Sequence, residues 1–157
     1  MLRPFTPEDE DTVVSFLTCP QFMVYSPTGA LNVRGAKQRF SEITFSYERN
    51  GFGKLAIVVK ASGVLIGYCG IEMCEIDGVS KAELGFRLKT NYRGMGYATE
   101  ASKAVLEYSE LILKDDIIAF TEQANQPSMK VLAKLGFKRT GESSVNGMAV
   151  ILFGRGI

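Results

Sequence analysis

Arg93-Gly94-Met95-Gly96-Tyr97-Ala98-Thr99-Glu100 stands between a strand-like run, Ala82 to Lys89, and a helical run carrying Ala101, Val105, Leu106, Tyr108 and Leu111 to about Leu113. The change of period across the two glycines predicts a strand, a tight turn and a helix. A helix start carries free N–H groups and a positive dipole end, so it can seat a phosphate. Gly94 and Gly96 let such a group approach the backbone closely, and Arg93 adds a charge beside it. The same residues would also serve as a plain strand-to-helix turn with no ligand. Two other nucleotide devices fit less well. A Walker loop needs Gly-Lys-Ser/Thr, which is absent. A dinucleotide fingerprint needs a small residue where Thr99 stands, and a first strand near the chain start.

Upstream, Leu2 to Phe5 reads as a short strand, and Thr6-Pro7-Glu8-Asp9 as a helix start, with a cap residue, a proline and acids in the first turn. That helix runs to about Cys19-Pro20. A loop follows from Gln21 to Leu31, then a second helix from Asn32 to Arg49. Lys54 to Lys60 and Val64 to Cys74 form an expected hairpin about Ser62-Gly63; Asp77-Gly78 turns the chain into the Ala82–Lys89 strand. Downstream come a buried strand at Ile117 to Thr121, a helix from Pro127 to Leu135 closed by Gly136, and two strands about Asn146-Gly147, from Phe137 and from Met148 to Phe153. The order β-α-α-β-β-β-α-β-α-β-β predicts one mixed α/β domain over residues 1–157.

Composition narrows the chemistry. The 157 residues are 46% hydrophobic and 22% charged, so the chain can bury about two-thirds of its unfolded surface. The formal net charge is +1 with no basic run, which does not imply a nucleic-acid partner. No apolar run approaches a membrane span, and Met1 to Phe5 lacks a signal-peptide core; a soluble cytoplasmic protein is expected. There is no histidine, which removes histidine-based triads and histidine-ligated metals; no metal site is expected. Cys19, Cys69 and Cys74 make neither a paired framework nor a Cys-x-x-Cys site, and Cys69 and Cys74 read as small core residues. Proton transfer falls to carboxylates, tyrosine, lysine, backbone or water.

Arg93-Gly94-Met95-Gly96-Tyr97-Ala98 matches the acetyltransferase pattern Arg/Gln-x-x-Gly-x-Gly/Ala. Thr99-Glu100-Ala101, then Asn125-Gln126-Pro127-Ser128 and Val131 to Phe137, match in order, as do Ile66 to Gly70 and Ala82 to Phe86. From about residue 2 to 153 the chain resembles the GNAT superfamily, in the branch of Rim-type ribosomal-protein and spermidine N-acetyltransferases. The resemblance implies an α/β (α+β) fold: a mixed, mostly antiparallel central sheet of about seven strands, flanked by four helices and splayed in the middle. It implies acetyl-CoA as co-substrate, with the diphosphate on the amides of Arg93, Gly94, Met95, Gly96, Tyr97 and Ala98, into Thr99. The pantetheine would pair with the backbone of Phe86, Arg87 and Leu88 and meet Asn125, which could equally be an ordinary helix cap.

The implied reaction is direct acetyl transfer to a primary amine, a peptide N-terminus or small amine, without a covalent enzyme intermediate. A backbone N–H near Leu88 would serve the thioester oxygen. Many superfamily members place a tyrosine acid where this chain has Leu132, which leaves Ser128 as the hydroxyl near the sulfur, or as a helix-start residue only. Glu83 is the candidate base, acting through water, against the alternative of a surface carboxylate; Glu72 is second, and Glu100 reads as structural. The acceptor pocket is expected between the first two helices, their loop and the last hairpin. Phe22, Met23, Tyr25 and Pro27 on that loop would line the pocket or plug the core. The short Asn146-Gly147 turn leaves that side open, which suits a peptide N-terminus. A small domain of this kind suggests a homodimer. The competing reading is a catalytically weak acyl-CoA-binding sensor or regulatory module; a further one is a nucleotide-binding protein using the same turn.

Overall fold

The hairpin at Asn146-Gly147 forms as its residues dictate. Both take left-handed backbone, φ 48° and 79°, so Lys138–Val145 (β6) folds tightly back on Met148–Arg155 (β7). Asp77 and Gly78, at φ 52° and 77°, do the same between Leu65–Ile76 (β3) and Val79–Leu88 (β4). The computed structural model describes residues 1–155; the last two of the expected 1–157 domain lie outside the described residues.

With Leu2–Arg3 (β1), Lys54–Val58 (β2) and Ile117–Thr121 (β5), these strands form one seven-stranded sheet in the order β1-β2-β3-β4-β5-β7-β6. All neighbours are antiparallel except β4 and β5. That parallel pair is registered only at Ala82–Ile117 and Glu83–Ile118, beyond which the strands part. The expected splayed, mostly antiparallel sheet is therefore present.

Four helices cover it: Glu10–Leu17 (α1), Val33–Asn50 (α2), Tyr97–Ser109 (α3) and Gln126–Lys134 (α4). The α2 start is capped by Asn32, whose side chain accepts the Gly35 N–H at 2.7 Å, and its end is closed by left-handed Gly51. Two boundaries depart from expectation. Pro7–Asp9 is a 3₁₀ turn that precedes α1. Regular α3 ends at Ser109, and the chain reaches Leu113 through tightened i→i+3 turns at Leu111 and Ile112.

Two cores lie on opposite faces. Ile66, Cys69, Ala82, Leu84 and Leu88 pack with Ala101, Val105 and Leu106 of α3 and Leu132 of α4. Ala56, Val58 and Tyr68 pack with Val13, Phe16 and Leu17 of α1 and Phe40 of α2. Phe22 and Met23 join this second core, so the first half of the aromatic loop plugs it. Cys69 is buried as expected, against the Ser102 hydroxyl at 3.4 Å; Cys74, expected in the core, is only half-buried. Burial pushes both thiols up to about 11, which leaves them poor nucleophiles. Among the described residues no helix is long and apolar enough to cross a membrane.

Candidate active site

The glycine turn sits where the sheet opens. Gly94 and Gly96 adopt φ 74° and 87°, a conformation side-chain-bearing residues rarely take. A Cβ built on either would meet nothing within 4 Å, so the space above both is open. The first α-helical bond of α3 is donated by Glu100 to the Gly96 carbonyl at 3.0 Å. The amides of Tyr97, Ala98 and Thr99 precede it and have no place in the helix ladder. A free cradle of amides at a dipole end fits a diphosphate.

Arg93 corrects part of the expectation. Its N–H is taken by the Thr90 carbonyl at 3.2 Å, which removes it from the cradle. Its guanidinium donates to the Leu88 carbonyl at 3.1 Å and to the Gln21 carbonyl at 3.0 Å. The side chain thus clips the end of β4 to the α1–α2 loop. Met95 is exposed on the turn, and Tyr97 packs edge-to-face on Tyr92 at 6.2 Å.

The edge of β4 supplies the second component. Lys89 donates to Ile66 across β3 at 2.8 Å. Antiparallel alternation then turns the Arg87 backbone toward its partner Tyr68, and the N–H groups of Phe86 and Leu88 away from β3, into the gap toward β5. Of the three residues expected to pair with pantetheine through the backbone, Arg87 cannot; it offers only its side chain.

On the other side of the gap, the Asn125 side chain accepts the Ser128 N–H at 3.3 Å and so caps α4. The capping reading is correct, and it leaves the amide NH₂ as a donor. The Ser128 hydroxyl makes no hydrogen bond among the described residues.

Two cavities meet here. A groove of about 390 Å³ runs past Leu88, Arg93, Gly94 and Ala98. A cleft of about 320 Å³ is lined by Met23, Tyr25, Pro27 and Thr28 of the loop, Glu72 and Glu83 of the sheet, and Asn146 and Met148 of the last hairpin. Tyr25, Phe86, Arg87, Asn125 and Ser128 line both. Tyr25 and Pro27 line the cleft without joining the core, whereas Phe22 and Met23 do both: they are buried in the second core and reach the wall of the groove and the cleft, respectively. Met95, Gly96, Tyr97 and Thr99 do not line the groove.

Glu83 is not a surface carboxylate: its side chain is 14% exposed and lies 3.6 Å from the Lys54 Nζ. Glu72 pairs with Arg39 at 2.6 Å and stands 3.7 Å from Lys54. Burial opposes its ionisation, but Lys54 and Arg39 outweigh burial and hold it below the usual carboxylate range. So saturated an ion makes a weak base, which favours Glu83. Lys54 and Arg39 give no signal in the sequence beyond their places in a strand and a helix.

A sheet that parts beyond one short parallel pair, with an amide cradle and an open strand edge at the parting, is the arrangement that the resemblance implies for an acyl-CoA-dependent acyltransferase. The comparisons agree. A family model described as "Acetyltransferase (GNAT) domain" matches residues 1–138. An uncharacterized N-acetyltransferase, p20, of Bacillus licheniformis is 30% identical over 145 residues, covering 89% of this chain and 79% of that protein. Two solved structures share the fold. The ribosomal-protein-S5-alanine acetyltransferase of Vibrio fischeri has a TM-score of 0.78 at 22% identity, covering 98% of this chain and 91% of that one. A GNAT phosphinothricin acetyltransferase of Sinorhizobium meliloti, in complex with AcCoA, has a TM-score of 0.72 at 16% identity, covering 99% and 86%. The chain belongs to the GNAT acetyltransferase family and is an acetyl-CoA-dependent N-acetyltransferase.

Proposed function

We propose that the protein transfers the acetyl group of acetyl-CoA directly to a primary amine, within a complex holding both substrates, and that its acceptor is a peptide N-terminus or a small amine. The observation that carries this reading is the meeting of groove and cleft at Tyr25, Phe86, Arg87, Asn125 and Ser128. One cavity leads to the amide cradle of α3, the other to Glu83.

The thioester supplies an activated acyl carbon. The amide cradle opening α3 binds the diphosphate, with Gly94 and Ala98 in the groove wall. The Phe86 backbone and the Asn125 NH₂ orient the pantetheine, and the Leu88 N–H donates to the thioester oxygen as it gains charge. Glu83 takes one proton from the acceptor nitrogen. Leu88 lies five positions further along β4, roughly 17 Å of extended strand, so that proton travels through water. The nitrogen–carbon bond forms as the carbon–sulfur bond breaks, and the thiolate is protonated from the Ser128 side, by its hydroxyl or by a water it holds. Leu132, 1% exposed in the core, carries no proton there.

The cleft's open wall at Asn146 and Met148 supports a peptide acceptor, as does the fold shared with a ribosomal-protein-alanine acetyltransferase. The test is release of free thiol from acetyl-CoA with a peptide panel and a small-amine panel. Transfer to peptide N-termini is expected. Activity confined to small amines rejects the peptide acceptor, and tight acetyl-CoA binding with no release on any amine returns the protein to an acyl-CoA sensor.

A further inference from the structure

The acceptor cleft contains a cation that the proposed reaction leaves unused. Lys54 is 5% exposed, and its Nζ donates to the Gly70 carbonyl at 3.1 Å while standing between Glu72 and Glu83. A buried ammonium is costly unless charges compensate it. The register shows how this one is held. Lys54 pairs with Gly70, and Gly70 with Gly85, so the lysine stem lies across the sheet over glycine. A Cβ at Gly85 would come within 2.4 Å of Nζ and 3.1 Å of the Glu83 Oε1. The ammonium can occupy this point because residue 85 has no side chain.

Glu72 and Glu83 lie directly opposite across β3 and β4, an arrangement in which like charges repel. Lys54 offsets that repulsion, but the two acids are not equivalent. Glu72 also binds Arg39 of α2, which faces Glu42 at 3.8 Å. Glu83 has Lys54 alone, and it accepts no hydrogen bond among the described residues. The other groups around the cluster are Tyr68, Cys69 and Cys74 of β3, the two thiols neutral, and Arg87 on the Glu83 face of β4. Burial works against the Lys54 ammonium, but Glu83 and Glu72 outweigh it and raise its proton affinity, so it stays charged.

We propose that Lys54 is the positioning residue of the acceptor site: its buried ammonium holds the Glu83 carboxylate in the place and orientation from which it receives the acceptor's proton. Lys54 touches no reacting atom and neither gains nor loses a proton; the proton leaves the acceptor nitrogen and ends on Glu83. The inference rests on the acetyl-transfer reading.

The test is the pH profile of kcat/KM for the amine in the full-length protein and in Lys54→Met. Removing the cation disfavours the Glu83 anion, so the acid limb should move up by at least about one pH unit. Acetyl-CoA Kd should stay within twofold. A limb that stays in place while the rate falls equally at every pH makes Lys54 merely structural and overturns the proposal. Should Lys54→Met not fold, Gly85→Ala decides, because its methyl group displaces the ammonium; the limb must move the same way. If the wild-type protein acetylates no amine, the acetyl-transfer reading fails and this proposal falls with it; an active protein whose limb stays in place overturns the Lys54 proposal alone.

Discussion

Single residues carry the chemistry and part of the stability. Glu83→Gln removes the proposed base while keeping the shape of the side chain. It should lower kcat by about 10²- to 10⁴-fold with acetyl-CoA Kd unchanged, measured by thiol release and calorimetry. Asp9 is a structural counterpart: buried, it takes both nitrogens of Arg3, at 2.7 and 2.9 Å, and the Thr6 N–H at 2.8 Å. The Arg3 hydrogen bonds hold its carboxyl below the usual carboxylate range, against burial. A depressed acid stabilises the fold above its unfolded pKa, about 3.9, and that stability is lost as pH falls through the folded value. Asp9→Asn should therefore cost about 2 kcal/mol at pH 7, and less as the pH is lowered toward 3, in urea denaturation. Of these residues, Glu83 stood out in the sequence only through the family resemblance, and the Thr6 to Asp9 helix start through its residue types. Lys54 did not stand out, because its partners lie on β3 and β4 and meet it only once three strands are in register.

At the level of elements, turns and caps were the legible part. Gly136 and Asn146-Gly147 end or start elements where their backbone preferences demand; Asn32 and Gly51 do the same for α2, though only the structure singles them out. The role of Arg93 was less legible. Its place in the motif suggested a phosphate partner, whereas its guanidinium joins the Leu88 and Gln21 carbonyls, 5 and 72 residues away in sequence. The loop side chains were hard to place for a similar reason: Phe22 and Met23 are buried in the second core and also reach the cavity walls, while Tyr25 and Pro27 line the cleft without joining the core. Arg93→Met breaks the clip at two charge-assisted bonds, worth about 1.5–3 kcal/mol each in general. Amide exchange over residues 21–31 should quicken by tenfold or more, read by mass spectrometry, while α2 and β3 keep their protection. Unchanged exchange in the loop would mean that its core plug, Phe22 and Met23, holds it without Arg93.

Across the whole molecule, β1–β4 and β5–β7–β6 are joined in the sheet by one short parallel contact, Ala82–Ile117 and Glu83–Ile118. The number of strands and the parting followed from element order together with the family resemblance; the order of the strands across the sheet, with β7 between β5 and β6, did not. Nor did the extent of the parting, since it depends on where β5 docks. A ligand lying between β4 and α4 spans both parts, so acetyl-CoA should stabilise the fold as one unit. At a hundred times its Kd it contributes about 2.7 kcal/mol, a rise in Tm of roughly 5–10 °C for a chain of this size. The central claim is that the amides opening α3, behind Gly94 and Gly96, hold the diphosphate of coenzyme A. Calorimetry of acetyl-CoA and of acetyl-pantetheine, which lacks the diphosphate, tests it most directly in wild-type and folded Gly96→Val protein. The account predicts a preference of at least about 100-fold for acetyl-CoA in the wild type that collapses below tenfold in the variant; an equal preference in both proteins would contradict it.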